Sequence, residues 1–269
     1  MQRITYGGLA YYQFDSLMDS ELKHGIFTRL GGVSTGCYHA LNLSQSTGDT
    51  AEAVAENRRR MYAALSIPSE RVVTSWLVHG NAVRRVDETD LDQNDVRADA
   101  IITNRRGLAL TLRFADCLPV LFYDPRRAAI GIVHAGWLGI ECGVLPATVR
   151  ALREAYGCDP RDIRACVGPS IGPDKFEVGA DVAARIQSAV SEPVVLVGNS
   201  AARAVPGGTD NDKPHVDLWK AARSQLCEAG VREIEIAGLC TASNTHEWFS
   251  HRAEKGATGR FGALIMLTD

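Results

Sequence analysis

The sequence predicts an α+β fold, because short apolar, β-rich segments recur along the chain and helical patterns fall between them. Several predicted strands follow one another through tight turns, which favours antiparallel pairing over a strictly alternating parallel sheet. The chain has 269 residues, and its sequence shows no internal repeat or low-complexity linker. We therefore predict a single domain spanning residues 1–269.

The predicted strands are runs rich in Val, Ile, Leu and Phe, bounded by residues that favour turns. The first lies around Ile26. The others cover Val72–Val78, Ala82–Val86, Ala98–Thr103, Leu108–Phe114, Leu118–Asp124, Ala128–Val133, Ile163–Val167, Val194–Val197, Glu233–Ala237 and Phe261–Leu267.

Three helices are predicted between these strands. The first begins after Asp49, which forms a capping-box pattern with Glu52. The second covers Leu145–Tyr156 and ends at Gly157, and the third begins near Asp217. Helical spacing places the apolar residues of the first and third helices on one face each: Val54, Met61 and Leu65, and Leu218, Ala222 and Leu226.

Composition indicates a soluble protein without a nucleic-acid or membrane partner. The net charge is −3 and the pI is about 6.2, so no basic footprint for nucleic acid is present. The most apolar long stretch, Ala128–Leu145, is interrupted by His134 and Glu141 and is too short to span a bilayer. We expect no signal peptide. The seven cysteines include no Cys-x-x-Cys pair, which favours a reduced, cytoplasmic protein.

The most informative pattern is a predicted β-hairpin that brings a thiol and an imidazole together. Its strands, Leu118–Asp124 and Ala128–Val133, are joined by the turn signature Asp124-Pro-Arg-Arg127. Antiparallel pairing about this turn places Cys117 directly opposite His134, with Cβ atoms about 4.5–5.5 Å apart. Such a pair can share a metal ion or act as a nucleophile and its base.

His79 is a third candidate, predicted to end the strand that runs from Val72 to Val78. Two imidazoles and one thiolate form a ligand set that suits zinc, and three protein ligands leave the fourth position open, as in catalytic sites. The intervals of 38 and 17 residues between His79, Cys117 and His134 match no short metal motif. The residues alone therefore leave metal binding open, beside a purely structural role.

Weaker candidates lie in two loop regions. The glycine-rich segment around Gly31 and Gly32 could cradle an anion through its backbone N–H groups and Arg29. Arg252 and Arg260, shortly before the last predicted strand, are further candidate phosphate ligands, although such arginines are more often surface charges. His251, beside Arg252, is the best candidate among the remaining histidines.

Several short motifs occur in a distinctive order along nearly the whole chain. They are Phe27–Ser34, Leu41–Leu43, Val78–Gly80, Ala115–Pro119, His134–Trp137, Gly168–Gly172, Phe176–Gly179, Val216–Leu218, Cys240–Thr241, Phe249–Arg252 and Thr258–Arg260. With these motifs the chain resembles the YfiH/YlmD-like family, described both as laccase-domain or polyphenol oxidase proteins and as purine nucleoside phosphorylases.

The resemblance implies one four-layer α/β/β/α domain with mixed, largely antiparallel sheets. It also implies a metal, Zn²⁺ with Cu²⁺ as an in vitro substitute, bound by His79, Cys117 and His134, which would form the catalytic centre. The implied activity is phosphorolysis of adenosine, inosine, guanosine or methylthioadenosine to base and ribose 1-phosphate, with adenosine deamination as a second activity. The matching motifs imply Arg29, Asn42 and Arg252 as substrate-binding residues. The oligomeric state stays open.

Three positions depart from the usual pattern of the family. Leu77 replaces a Gln, Leu138 replaces an Arg after the His-Ala-Gly-Trp motif, and Ala253 replaces a second Arg. The loss of two arginines implies weak phosphate binding and a shift toward reactions that use water, such as deamination. Asp116 is a candidate acid or base for deamination, although strand alternation would point it away from Cys117.

Three other functions compete with this reading. A four-copper oxidase needs more histidines than the seven present, and a His-Cys-His stretch that the sequence lacks. Single Cu²⁺ binding remains compatible with an N/S ligand set. A metal-free Cys117–His134 hydrolase or deamidase is the next alternative, and a non-catalytic binding module is the last.

Overall fold

The computed structural model describes residues 1–196 and 213–268. Its strands are β1 Gln2–Tyr6, β2 Leu9–Gln13, β3 Leu22–Phe27, β4 Val72–Val73, β5 Val83–Arg85, β6 Ala100–Thr103, β7 Ala109–Phe114, β8 Leu118–Asp124, β9 Ala129–Ala135, β10 Arg164–Val167, β11 Val195–Leu196, β12 His215–Val216, β13 Glu233–Ile236 and β14 Phe261–Leu267. Its helices are α1 Ala51–Ala64, α2 Trp137–Glu141, α3 Val144–Tyr156, α4 Ala180–Ser188 and α5 Leu218–Glu228.

Two six-stranded sheets form the centre of the fold. The first has the order β1-β2-β3-β14-β7-β4, and the second has the order β13-β10-β8-β9-β6-β5. Most neighbours are antiparallel, whereas the β4–β7, β5–β6 and β10–β13 pairs are parallel. The mixed, largely antiparallel character predicted from the sequence is therefore confirmed. A separate two-stranded sheet joins β11 to β12.

The sheets and helices stack in four layers with three apolar cores. One core lies between α1 and the first sheet, and a second, which includes Ile132 and Leu112, lies between the two sheets. The third, which includes Val133 and Leu152, lies between the second sheet and the helices α2 to α5. Strands β8 and β9 are buried on both faces, which explains why their sequences are continuously apolar rather than alternating.

The predicted hairpin exists, but its register differs from the prediction. His134 pairs with Pro119 rather than with Cys117, and the last pair before the turn is Asp124 with Ala129. The turn is longer than predicted because the Asp124 carboxylate accepts the backbone N–H groups of Arg126 and Arg127, and Ala128 adopts a left-handed conformation. The resulting shift is two residues, so Cys117 stays on the same side of the sheet as His134.

The strand predicted over Val72–Val78 was too long, since β4 contains only Val72 and Val73. His79 therefore lies in an irregular loop rather than at a strand end. The first helix also begins one residue later than predicted: Thr50 caps it by accepting the N–H of Ala53. Asp49 instead accepts hydrogen bonds from the side chains of two loop residues, Ser34 and Asn42.

Other elements agree with the sequence or were not predicted. Strands β8 and β14 have the predicted bounds, and α5 begins after Asp217, whose side chain accepts the N–H of Lys220. Strands β1, β2 and β12 and helices α2 and α4 were not predicted. Val197, at the end of the predicted strand Val194–Val197, lies outside the described residues. None of the helices in residues 1–196 and 213–268 has the length and apolar character needed to cross a bilayer.

Candidate metal centre

The candidate centre lies where both sheets end on the same side of the molecule. Strand β7 ends at Phe114 and β8 begins at Leu118, so the connection between them carries Cys117 from the first sheet to the second. His134 is the next-to-last residue of β9. The fold therefore brings the two residues together because adjacent antiparallel strands place the start of one beside the end of the other.

His79, Cys117 and His134 form the one group of three or more His, Cys, Asp or Glu residues with metal-ligand geometry in the described part of the chain. Their potential ligand atoms all lie within 4.8 Å of one another. The two imidazole rings meet edge to face, with centroids 4.9 Å apart. His134 is buried, Cys117 is half-buried and His79 is exposed, so the group opens toward solvent on the His79 side.

Asp99 fixes the orientation of this group. Its side chain is fully buried, and one carboxylate oxygen lies 3.0 Å from Nδ1 of His134. Because an ionised carboxylate only accepts hydrogen bonds, Nδ1 carries the proton and Nε2 keeps the free lone pair. Burial by itself would raise the pKa of Asp99, but the hydrogen bonds from His134 and the backbone of Gly80 and His79 outweigh burial and lower it.

The same carboxylate holds the loop that carries His79. Asp99 accepts the backbone N–H groups of Val78, His79 and Gly80 at 3.1, 2.9 and 2.8 Å. These bonds stabilise His79 in a left-handed conformation with φ of 59°, which is uncommon for a residue with a side chain. One buried carboxylate therefore positions two of the three candidate ligands.

The donor set fits zinc. Ligands at zinc distances of about 2.0–2.3 Å lie about 3.3–3.8 Å apart in a tetrahedron, and the observed separations are within 4.8 Å. A histidine whose second ring nitrogen donates to a carboxylate is the usual arrangement around protein-bound zinc. Two imidazoles, one thiolate and an open side toward solvent are therefore suited to a metal that keeps one position for a substrate or water.

Gly136 makes room for the three side chains. A Cβ atom at this position would lie 3.0 Å from Sγ of Cys117 and 3.3 Å from Cδ2 of His79. The first distance is tighter than an ordinary van der Waals contact, so a side chain here would push Cys117 aside by a few tenths of an ångström. The glycine of the His-Ala-Gly-Trp motif is thus explained by its packing against the centre.

The centre lies in a cavity of about 670 Å³ whose lining is rich in arginine. Arg113, Arg252 and Arg260 all line it, and within the described residues none has a carboxylate oxygen within 4.0 Å of its guanidinium nitrogens. Arg252 donates to the carbonyl groups of Lys175 and Glu177. Burial lowers the pKa of Arg260, and the nearby Cys117 and Asp116 partly offset that effect.

Two predicted substrate-binding residues do not line this cavity. Arg29 pairs with Glu254 at 2.9 Å, donates to two backbone carbonyl groups at 2.8 Å and lies over the ring of Phe249. The side chain of Asn42 is fully buried and bonds to loop residues 44, 47, 49 and 260. Both side chains form hydrogen bonds that connect loops, and neither lines the cavity of the candidate centre.

The glycines beside Arg29, where an anion site was predicted, have a packing role in the structure. A Cβ on Gly31 would lie 2.3 Å from the carbonyl oxygen of Gly8, and one on Gly32 would lie 2.1 Å from that of Ala40. These glycines allow three backbone segments to approach one another closely. Since Arg29 is already neutralised by Glu254, the loop offers no free positive charge.

Asp116 does line the cavity, contrary to the expectation from strand alternation. It precedes β8 and has a φ of 79°, so the alternation of a strand does not apply to it. Its carboxylate accepts the hydroxyl of Thr241 at 2.6 Å and the backbone N–H of Arg252 at 2.7 Å. Asp116 thus connects the cavity floor to the segment that carries Arg252.

The three departures from the usual family pattern fall at different places. Leu77 lines the cavity, whereas Leu138 and Ala253 do not. Leu138 follows Trp137 in α2, and only Trp137 contributes to the lining. The cavity therefore keeps a positive wall without arginines at 138 and 253.

The chain is similar to known proteins over most of its length. The family described as multi-copper polyphenol oxidoreductase laccase matches residues 23–268. The chain belongs to this family. Among its relatives, the purine nucleoside phosphorylase YfiH of Escherichia coli is 37% identical over 242 residues, which is 89% of this chain and 91% of the relative. The purine nucleoside phosphorylase of Bacteroides thetaiotaomicron is 33% identical over 258 residues, which is 92% of each protein.

Solved structures of the family confirm the fold. YlmD from Geobacillus stearothermophilus has a TM-score of 0.86 at 30% identity, with 97% of both chains covered. The hypothetical protein YfiH from Bacillus licheniformis has a TM-score of 0.85 at 29% identity, also with 97% of both chains covered. The resemblance recognised from the motifs is therefore confirmed.

The sequence did not predict the place of some residues in the site. Asp99 ends the polar segment before β6, and nothing in its neighbourhood marks it as a partner of His134, 35 residues away. Arg113 lies within an apolar strand pattern, and that unexpected charge is a usable signal. Trp76, with 52% of its surface exposed, was interpreted as part of a strand, but it lines the cavity.

Proposed function

We propose that this protein is a zinc-dependent purine nucleoside phosphorylase centred on His79, Cys117 and His134. The observation that carries the proposal is the open His-Cys-His group at the floor of an arginine-lined cavity. A nucleoside phosphorylase must hold an anion and an uncharged nucleoside side by side. This cavity has arginine side chains that can bind the anion and aromatic side chains that can contact the nucleoside. The relatives' names agree with this chemistry.

The proposed metal is zinc, held by Nε2 of His134, one ring nitrogen of His79 and Sγ of Cys117. When bound, zinc would supply Lewis-acid stabilisation of negatively charged oxygen. The mixed N/S donor set also binds Cu²⁺, which generally competes well with zinc at such sites, so copper uptake in vitro is compatible with the family's description. The described cysteines are all free thiols, which fits the reducing cytoplasm we propose as its location.

Phosphate is proposed to lie against Arg260 and Arg252. A phosphate oxygen forms a bond to ribose C1′ while the bond from C1′ to the purine nitrogen breaks, and guanidinium groups neutralise the phosphate charge and fix its direction. The departing purine takes up a proton, and we assign its delivery to His251, which lines the same cavity. The products are the free base and the 1-phosphate of the nucleoside's sugar, which is ribose 1-phosphate for adenosine, inosine and guanosine.

The apolar part of the lining suits the nucleoside. Trp76, Trp137 and Phe176 present aromatic surface in the cavity, and a purine ring can stack on such surface. Adenosine, inosine, guanosine and methylthioadenosine share the purine nucleoside framework and are the proposed substrates. Adenosine deamination is a second proposed reaction, with Asp116 as the acid or base beside the cavity floor.

The experiment that tests the proposal combines metal analysis with a substrate panel. The purified protein is expected to contain about one zinc per chain and to release base from purine nucleosides only when phosphate is added. Cys117→Ala should lose both the metal and the activity, because two histidines alone hold zinc far more weakly.

Cys142→Ala is the matched control, because Cys142 is exposed at the end of α2 and outside the ligand group. It should keep wild-type metal content and rate. Stoichiometric zinc in the Cys117→Ala protein would refute the ligand assignment. Base release that does not depend on phosphate would refute phosphorolysis while leaving the metal site intact.

A further inference from the structure

A second cavity of about 700 Å³ lies beside the cavity of the metal centre. The two share four lining residues, Ser44, Ser46, Trp76 and Arg113, so the chambers adjoin each other. The second chamber is bounded by α1, by the β3–α1 connection and by the loop that carries Asp92 and Asp95. Nothing in the proposed phosphorolysis uses this chamber.

Two arginines line the second chamber without an acidic partner. Arg58, on α1, donates from Nε to the carbonyl oxygen of Leu43, and its two terminal amino groups have no hydrogen-bond partner among the described residues. Arg113, on β7, donates to Oγ1 of Thr74 and to the carbonyl oxygen of Ser75. Both side chains are half-buried and line the chamber, and each keeps N–H groups without a hydrogen-bond partner among the described residues.

The juxtaposition of these two arginines is electrostatically unfavourable unless an anion lies between them. Burial and the nearby positive charge of Arg58 lower the pKa of Arg113 to about 10, whereas arginines usually titrate far above that value. The chamber also carries Glu70, Asp92 and Asp95. Within the described residues none of these carboxylates lies within 4.0 Å of either guanidinium, so the positive wall stays unpaired.

We propose that Arg58 and Arg113 form an anion subsite that takes a phosphate group. Paired guanidinium groups with free N–H donors match the geometry of phosphate oxygens, and such charge-assisted bonds are among the strongest available to a protein. Arg113 also lines the metal cavity, so the subsite lies within reach of a ligand bound there. It is separate from Arg252 and Arg260, which do not line the second chamber.

The phosphate can come from two sources: inorganic phosphate or the 5′-phosphate of a purine nucleotide. The nucleotide reading rests on the proposed function, because it places the nucleoside part in the metal cavity. Trp76, exposed and shared by both chambers, would then contact the ligand where the two chambers adjoin. In that case the protein would bind nucleoside monophosphates in preference to nucleosides.

Isothermal titration calorimetry on the full chain tests the subsite with adenosine, adenosine 5′-monophosphate and inorganic phosphate as probes. The nucleotide is expected to bind about 10- to 100-fold more tightly than adenosine, as charge-assisted hydrogen bonds would allow. Arg58→Gln and Arg113→Gln should each remove most of that ratio. Arg59→Gln is the matched control, because Arg59 is one residue further along α1, pairs with Glu56 and lies outside both chambers.

Inorganic phosphate is titrated into an Arg260→Gln background, which weakens the site proposed beside the metal. Phosphate binding that Arg58→Gln abolishes in this background identifies free phosphate as a ligand. A response confined to the nucleotide identifies the 5′-phosphate. If neither probe responds to Arg58→Gln or Arg113→Gln, the subsite is refuted.

The proposed function and the subsite can fail separately. Absence of adenosine binding with intact, Arg58-dependent phosphate binding would refute the nucleoside reading alone. Circular dichroism and urea unfolding check each variant. Arg58 lies on the surface of α1, so Arg58→Gln keeps the test decisive even if the more enclosed Arg113→Gln protein does not fold.

Discussion

The buried carboxylate of Asp99 accepts a hydrogen bond from Nδ1–H of His134 and, through its two oxygens, hydrogen bonds from the backbone N–H groups of residues 78–80. This arrangement links two segments of the chain that each carry a candidate metal ligand. It fixes the tautomer of one imidazole and the backbone conformation beneath the other. The affinity of the centre for metal should therefore depend on a residue that does not itself touch the metal.

We predict that Asp99→Asn weakens zinc affinity by about 10- to 100-fold. An amide at this position has only one acceptor oxygen, and its NH₂ group would face backbone N–H donors. Competition with a chromogenic zinc chelator measures the change. Asp124→Asn is the matched control, since Asp124 is also buried but lies at the opposite end of β8. Equal zinc affinity in the Asp99→Asn and wild-type proteins would contradict the positioning role.

Gly136→Ala should weaken metal binding by crowding the ligands. The added methyl group would approach Sγ of Cys117 to 3.0 Å, and forcing such a contact in a packed site costs about 1–3 kcal/mol. Gly80→Ala serves as the comparison, because the nearest atoms to its Cβ would be 3.8 Å away although it also borders the centre. Zinc affinity should fall in Gly136→Ala only. An equal loss of zinc affinity in both variants would mean that the loss comes from a changed loop backbone rather than from crowding of the ligands.

The sequence predicted which three residues lie together more reliably than it predicted how the fold brings them together. Cys117 and His134 were expected to face each other, yet His134 faces Pro119. Cys117 and His134 still lie close together because the turn is longer by two residues, and an even shift in register keeps side chains on the same face. A shift of one residue would have separated them, and the turn sequence alone does not distinguish these outcomes.

Long-range polar contacts account for most of what the sequence did not reveal. Arg29 was predicted to bind an anion, but its partner Glu254 lies 225 residues away in the chain. Asn42 was predicted to bind substrate, but it bonds to the backbone of Arg260, 218 residues away. Local patterns identify residues able to make polar contacts, whereas the folded topology decides whether the partner is protein or ligand.

Stability should fall in mild acid because of His24, a buried residue of β3 far from the centre in sequence. Its Nε2 accepts the backbone N–H of Phe14 at 2.8 Å, and its Nδ1 has no partner. Burial lowers the pKa of His24 from 6.5 to about 4. The folded state thus keeps the ring neutral while the unfolded chain protonates it, so stability is lost as pH falls from 6.5 toward 4.

Urea unfolding of the metal-free protein at pH 7 and pH 5 measures this effect. Between these values the wild type should lose about 2 kcal/mol more free energy of unfolding than His24→Gln, whose side chain can accept the same N–H but does not titrate. Using the difference between the two proteins removes the contribution of the other histidines. Equal losses would mean that His24 is protonated in the folded state.

The last prediction concerns Arg260, which lines the cavity of the candidate metal centre. Arg260→Gln should raise the KM for phosphate by about 10- to 100-fold, because a hydrogen bond to a charged group is worth about 1.5–3 kcal/mol. The half-buried guanidinium is already held by the carbonyl groups of Thr258 and Gly259, so little ordering is needed when phosphate binds. The KM for the nucleoside should change less, since that ligand carries no charge.

Arg126→Gln controls for the loss of one positive charge, because Arg126 is exposed in the turn at the opposite end of the β8–β9 hairpin. Arg29→Ala is the second comparison: it should lower the stability of the protein by unpairing Glu254 but leave the phosphate KM unchanged. Steady-state kinetics across a phosphate titration separates these cases. If Arg29→Ala raises the phosphate KM and Arg260→Gln does not, phosphate binds at the glycine-rich loop, and the arginines of the cavity serve only to hold its walls.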